Sequence, residues 1–446
     1  MALSLFREDK EGEMKLEYCK LQIGCMLIIL YIIFVYLKEL KRYGQKHKFS
    51  TFDAMLVVGI FSVFFDGVTA YTVNHPEHVD ELVNMLFHLC FLVGLDCFIF
   101  RLFVYMLSIT AGLPKKKSGI WLMYSPLVVN IILVVVNIPQ LKYIEGEISN
   151  YSMGMSAYTC FAMAAIYILA SIVIFFSRWR YIERHKRFSM LTYLLMLAGI
   201  TAYQMLHPQA LLSSLCVTLI ILGVYMNQEN PSVLELARYH EEMIMGFATL
   251  VENKDGSTGG HIKRTTMYVR LLAEELRRRG YYREVLTKDY VKNLCLAAPM
   301  HDVGKISVPD VILQKPGRLT DEEFARMKQH AESGGKIVQE TFGHLGNEQY
   351  AEMAYQVARY HHEKWNGKGY PEGLERKEIP LCARIMAIAD VFDAVSEKRC
   401  YRDAMPLEKC FDIIKEGSGQ DFDPILAEVF LDIRDKVEKI HKEFNQ

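Results

Sequence analysis

Paired sulfur ligands are missing from this sequence. Its 446 residues include ten cysteines, but none forms a CxxC pair and no secreted-type framework is visible. This excludes a zinc site built on paired thiolates and a disulfide-stapled scaffold, and leaves reduced thiols. An excess of charge of one sign is also missing. With 51 basic and 52 acidic residues the net charge is −1, so no DNA or RNA duplex is expected as a partner, since phosphate-backbone affinity needs a basic face. No internal repeat or low-complexity tract is present. Beyond residue 246 there is no run of alternating β-branched residues, which argues against a sheet there.

Apolar residues make up 51% of the chain and crowd into its first half. A window of about 20 residues picks out seven candidate membrane spans. They lie near Tyr18 to Leu37, Phe52 to Val73, Leu82 to Ile109, Gly119 to Ile138, Met155 to Phe176, Phe188 to Leu206 and Ala210 to Met226. The first is too long and too late for a cleaved signal peptide, and no small-residue cleavage pattern follows it. The loops alternate in charge. KELKRYGQKHK, PKKKS and SRWRYIERHKR are basic, whereas TVNHPEHVDE, QLKYIEGEISNYS and HPQ are nearly free of Lys and Arg. Basic loops stay in the cytoplasm, so the alternation predicts an outside N-terminus and a cytoplasmic C-terminal domain, with the lipid bilayer as a partner. Asp66, Asp96 and Arg101 fall inside predicted spans, where ionisable residues are costly and mark functional candidates or internal pairs.

Residues 1–226 are therefore expected to form a seven-span sensory module. Asn230 and Pro231 mark a break and a helix start, after which Leu236, Met243, Phe247 and Leu250 recur at helical spacing. This makes 227–245 a helical connector, one that as a paired helix would suit a homodimer. Residues 246–446 read as helices joined by polar loops. TMYVRLLAEELRRRG ends on Gly280, and LTDEEFARMKQH opens with a capping pattern at Thr320. The fold class expected is all-α throughout.

Chemistry concentrates in GGHIKRT, MHDVGKI, MKQHAESG, YHHEKWNGKGYP and IADVFDA. They supply His261, His301, Asp302, His330, His361, His362 and Asp390, enough ligands for more than one metal ion. Imidazoles and carboxylates without thiolates suit iron, manganese or another first-row divalent ion. Taken singly, an HD dipeptide or one loop histidine is weak evidence, because Asp is a common turn residue. Asp390 within IMAIADVFDAV is stronger, since a buried carboxylate needs a metal or a basic partner. NGKG is not a nucleotide P-loop, because its spacing and missing terminal Ser or Thr do not fit.

The order GGH, HDVGK, a downstream His330, HHEKWNGKGYP and ADVFDA resembles the HD-GYP family of phosphohydrolases, from about Gly246 to Leu431. The flanking LTDEEFARMKQHAESG and FDPILAEVFL agree. The resemblance implies an all-helical fold and a cyclic di-GMP phosphodiesterase that yields pGpG, and in some members GMP. Another cyclic dinucleotide, or a silent receptor acting through protein contacts, is the alternative. It implies His261, His301, Asp302, His330, His361, His362 and Asp390 as metal ligands, with Asp302 bridging two ions about 4 Å apart and a hydroxide held between them. By the same resemblance, Lys305 acts at the phosphate or leaving group and Asp255 orients water or shuttles a proton. Asp393 stands behind the ligands, bracing Lys305. Arg399 and Arg402 grip phosphate or guanine. The loop of Gly367, Gly369, Tyr370 and Pro371 is associated with protein contacts, including a partner GGDEF domain. Some members place Glu four residues before the first histidine to help hold a third ion. Here that position is Ser257, so two divalent ions, Fe or Mn, are expected and pGpG is the safer product.

Overall fold

The computed structural model describes residues 16–43, 48–76, 79–146, 149–179, 182, 184–254, 260–344, 348–397 and 404–444. They divide into two compact units, 1–236 and 237–446, with the boundary inside one helix, Pro231–Lys254. Each unit has its own apolar core.

The first unit is built from α1 (Lys20–Arg42), α2 (Thr51–Asn74), α3 (Glu81–Thr110), α4 (Lys117–Asn137), α5 (Met155–Ser177), α6 (Arg184–Leu206) and α7 (Ser213–Val224). Between α4 and α5 lies a small antiparallel hairpin, β1 (Lys142–Ile144) and β2 (Tyr151–Met153), in which Tyr143 pairs with Ser152. Ser50 and Asp53 form a reciprocal capping box at the start of α2, which fixes where that helix begins.

Six helices among the described residues are long and apolar enough to cross a membrane. The seventh span expected from hydropathy is shorter. Leu211 takes a left-handed conformation (φ 48°), so regular helix begins only at Ser213. After 12 residues it passes into a π turn at Tyr225–Glu229. The ionisable residues of the spans are held by polar neighbours. Asp66 accepts from Ser214 Oγ at 2.5 Å and Gln22 Nε2 at 3.5 Å. Asp96 accepts from Asn130 Nδ2 at 2.6 Å, so its close partner is Asn130 and not Arg101.

Helix α8 (Pro231–Lys254) begins where Asn230 Oδ1 accepts the Ser232 N–H at 3.0 Å and carries the chain into the second unit. There follow α9 (His261–Arg279), α10 (Lys288–Ala297), α11 (Asp310–Leu313), α12 (Asp321–Phe342), α13 (Glu348–Tyr360), α14 (Leu381–Ser396), α15 (Leu407–Glu416), α16 (Pro424–Asp432) and α17 (Arg434–Phe444). Helix α14 is apolar on nearly every face and is buried along almost its whole length, as the central helix of a bundle must be. Its Phe392 packs against Tyr268 of α9, Phe411 of α15 and Phe430 of α16. Gly280 closes α9 in a left-handed cap and Thr320 opens α12 with a capping box, both at the predicted positions. This unit is all-α among the described residues, with the Asp390 carboxylate carried into its centre by α14.

Candidate metal centre

Seven side chains from five parts of the second unit converge. His261 is the first residue of α9, and His301 with Asp302 ends the 3₁₀ turn Ala298–Met300 that follows α10. His330 lies in α12, His361 and His362 directly follow α13, and Asp390 lies in α14. Two groups form. Asp302, His330, His361 and His362 make one, and His261, His301 and Asp390 the other, with candidate ligand atoms in each within 4.8 Å of one another.

Asp302 faces both. Its Oδ1 lies 3.5 Å from His330 Nε2 and 3.8 Å from His361 Nε2, while Oδ2 lies 3.3 Å from His301 Nε2. Asp390 Oδ1 closes the second group, 3.6 Å from His261 Nε2 and 3.8 Å from His301 Nε2.

The histidines are oriented for ligation through Nε2. His301 Nδ1 is 2.8 Å from the Ala298 carbonyl, His330 Nδ1 2.7 Å from that of Met327, and His361 Nδ1 2.9 Å from that of Val357. A carbonyl only accepts, so each Nδ1 carries the proton and each Nε2 offers a lone pair. His261 Nδ1 donates likewise to Asp393 Oδ2 at 2.8 Å. As a result His261 Nε2 and His301 Nε2 face one another at 3.1 Å, an arrangement that needs positive charge beside it. His330 Nε2 and His361 Nε2 are buried without a hydrogen-bond partner among the described residues. Buried polar atoms left orphaned in this way want a cation or a donor, so the residues present fit divalent metal ions.

Electrostatics agree for His361 and His362, whereas His301 as it stands favours the doubly protonated ring, whose Nε2 proton a bound cation would displace. Burial, reinforced by His301, pushes His361 down to about 3, and burial with His361 holds His362 well below its usual range, so both rings are neutral, the form that can ligate a metal. Burial opposes charge on His301 too, but Asp302 and Asp390 outweigh it and raise it to about 9. Burial alone would raise Asp302, yet Lys305 and His301 hold it well below the carboxylate range. Lys305 lies in the 3₁₀ turn Val303–Ser307, its Nζ 2.8 Å from Asp302 Oδ2.

Two glycines make this possible. A Cβ on Gly304 would collide with the carbonyl of His330, and one on Gly369 with the backbone of Glu363 and Lys364. The Tyr370 ring covers His362, centroids 4.8 Å apart. Glu363 ties the loop down, its carboxylate accepting the backbone N–H groups of Glu372 at 2.7 Å, Gly373 at 3.1 Å and Leu374 at 3.0 Å.

Asp393 stands behind the candidate ligands as expected, but the cation it braces is a different one. Its oxygens go to His261 and to Arg264, which donates from Nε at 2.7 Å and Nη2 at 3.0 Å, and not to Lys305. Arg264 and Glu252, whose carboxylate accepts the His261 N–H at 3.0 Å, were missed from sequence. Arg264 stands one turn after His261 in GGHIKRT, where a buried charge is a signal. Asp255, Ser257, Arg399 and Arg402 lie outside the described residues.

Residues 251–426 match the family model described as HD domain. They are an HD domain. Including Gly369, Tyr370 and Pro371, it is of the HD-GYP kind. This chain is similar to a cyclic di-GMP phosphodiesterase of Vibrio cholerae, 43% identical over 210 residues, 47% of this chain and 43% of that protein. A 3'3'-cGAMP-specific phosphodiesterase 2 of the same organism is 37% identical over 45% of this chain and 36% of its own length. For a cyclic di-GMP phosphodiesterase of Thermotoga maritima the identity is 37%, over 43% of this chain and 49% of that protein. The chain spans less than half the length of each of these relatives.

Proposed function

We propose that the HD domain hydrolyses cyclic di-GMP to linear pGpG, in a chain anchored in a bacterial inner membrane with this domain on the cytoplasmic side. The observation that carries the reading is Asp302, whose two oxygens face two separate groups of histidine ligands. His330, His361 and His362 would hold one divalent ion and His261, His301 and Asp390 the other, with Asp302 shared. A ligand set of nitrogen and oxygen suits iron or manganese. When bound, such a pair makes water a nucleophile at neutral pH and neutralises charge on a phosphodiester.

The chain's own residues do the rest. Lys305, partly open to solvent beside Asp302, offers a fixed positive charge to the phosphate or the leaving oxygen. Asp393 keeps the proton of His261 on Nδ1, which leaves Nε2 as the donor atom. Tyr370 and the loop tied by Glu363 shield His362. Arg399 and Arg402 are assigned to the substrate and Asp255 to the water.

The similarity to a 3'3'-cGAMP-specific phosphodiesterase favours a second reading, a mixed cyclic dinucleotide as substrate. Both are tested with the full chain in lipid nanodiscs, loaded anaerobically with Fe or Mn and given each dinucleotide, the products being separated by chromatography. Cyclic di-GMP is expected to yield pGpG. Faster cleavage of 3'3'-cGAMP would support the second reading, and binding without cleavage of either would overturn both.

A further inference from the structure

Helix α8 ends beside the metal centre, and its last turn grips the surrounding backbone at two places. Glu252 accepts the N–H of His261, the first residue of α9, at 3.0 Å. Lys254, the last residue of α8, reaches the segment that follows Lys305. Its Nζ donates to the Ile306 carbonyl at 2.9 Å and the Val308 carbonyl at 2.8 Å, and pairs with Asp310 Oδ1 at 3.2 Å. An ammonium carries three protons, and here each has an acceptor. The Lys254 carbonyl in turn accepts from Gln314 Nε2 at 2.9 Å.

These contacts bear on Lys305. The turn Val303–Ser307 is held on its inner side by Gly304, which packs against the backbone of His330 and Gly334. Its outer side is open, with Ile306 56% exposed. A short helical turn leaves its last carbonyls without partners of its own, and a lysine placed near that end takes them up. Ile306 directly follows Lys305, and the Lys305 carbonyl accepts the Val308 N–H at 3.0 Å. Lys254 therefore closes the backbone around Lys305 from outside, while the Lys305 ammonium stands 2.8 Å from Asp302 Oδ2.

We propose that Lys254 is a positioning residue for Lys305, clamping the two carbonyls beyond it so that the Lys305 ammonium stays at the edge of the metal centre. The inference rests on the role given to Lys305 in the hydrolysis proposed above. Lys254 itself ligates no metal and touches no substrate, and it acts only through the turn. Helix α8 starts in the first unit, so the clamp is supplied by the one helix that joins the two units. The rate of hydrolysis is thereby made to depend on how α8 is seated.

The test uses the full chain in nanodiscs, loaded with Mn, and compares wild type with Lys254→Met, Lys254→Arg, Lys305→Met and the double variant. Lys254→Met should hold as many ions as wild type and keep its KM for cyclic di-GMP. Its kcat should fall about 10- to 100-fold, the cost of slightly misplacing a group at the reacting centre. Lys254→Arg, which keeps the charge and the donors, should restore most of the rate. Lys254→Met added to Lys305→Met should bring no further loss, because residues that act through one group are not additive. Hydrogen exchange, read by mass spectrometry without substrate, should quicken in the peptide from Val303 to Val308 of Lys254→Met and stay unchanged in α14. Full turnover in Lys254→Met, losses that multiply in the double variant, or unchanged exchange in that peptide would each overturn the proposal and leave the hydrolysis reading standing. Wild type that cleaves no dinucleotide would overturn the hydrolysis reading and this one with it.

Discussion

Asp302 and Lys305 form an ion pair of 2.8 Å at the edge of the metal centre, while the other oxygen of Asp302 faces His330 and His361. One carboxylate therefore answers to both ligand groups and to the ammonium. Replacing it separates these roles from those of its neighbours. Asp302→Ala is expected to lower bound metal by at least one ion per chain and to bring turnover to background, measured by elemental analysis and chromatography. A variant retaining two ions and full turnover would sink the shared-carboxylate reading.

Lys305→Met should behave differently. The seven ligands stay in place, so metal content is expected to hold. Turnover number should fall by about 10²–10³, the usual loss when one fixed group facing developing charge is removed. Single-turnover rates at saturating dinucleotide check this, and loss of metal instead would make Lys305 part of the ligand scaffold.

Asp393 is a positioning residue. Asp393→Asn keeps an acceptor for His261 but weakens the clamp on Arg264, and metal affinity of the His261 group is expected to drop about 10- to 100-fold. Asp393→Leu leaves the buried Arg264 guanidinium with only the more distant Glu397 carboxylate at 3.6 Å, and stability is expected to fall. Chelator competition reads the first effect and denaturant melting the second.

Gly304→Ala drives a methyl group into the His330 carbonyl. Overpacking of this kind costs about 1–3 kcal/mol, and because the obstacle is backbone the upper end is expected. Thermal melting with and without metal would measure it, and an unchanged midpoint would contradict the close approach.

Acid stability should report Glu275. The side-chain hydrogen bonds of Arg278, at 2.6 and 2.9 Å, and of Arg279, at 2.8 Å, hold its carboxyl down to about 2. Its folded value lies below the unfolded one of about 4.3. The stabilisation is therefore complete above about pH 4.3 and is lost as pH falls towards 2. Glu275→Gln should lower stability at neutral pH and flatten this acid limb, as followed by denaturation between pH 2 and 6.

The seven candidate ligands were legible in the sequence because each sits in a short motif whose chemistry survives without coordinates, as with HD before Lys305 or the histidine pair before Glu363. Helix ends at Gly280 and Thr320 were legible for the same local reason. The partner of Asp393 was not. Its bond to His261 joins residues 132 apart in the chain, and helical spacing around Asp393 carries no trace of it. Hydropathy also started the last apolar segment early, at Ala210, because a window adds side chains and does not register the left-handed Leu211. The hairpin Lys142–Met153 escaped notice, since three-residue strands leave too short an alternation to detect.

Gly304 and Gly334 meet where the turn after Asp302 crosses the helix bearing His330, so close that a Cβ on Gly334 would lie 3.3 Å from the Gly304 nitrogen. Peptide groups abut there, and peptide groups have no rotamers through which to yield. The gauge between Asp302 and His330 is in effect a fixed jig, machined from main chain. Any signal that reaches this domain would then find substrate admission past the Tyr370 ring easier to adjust than the distance between the two ligand groups.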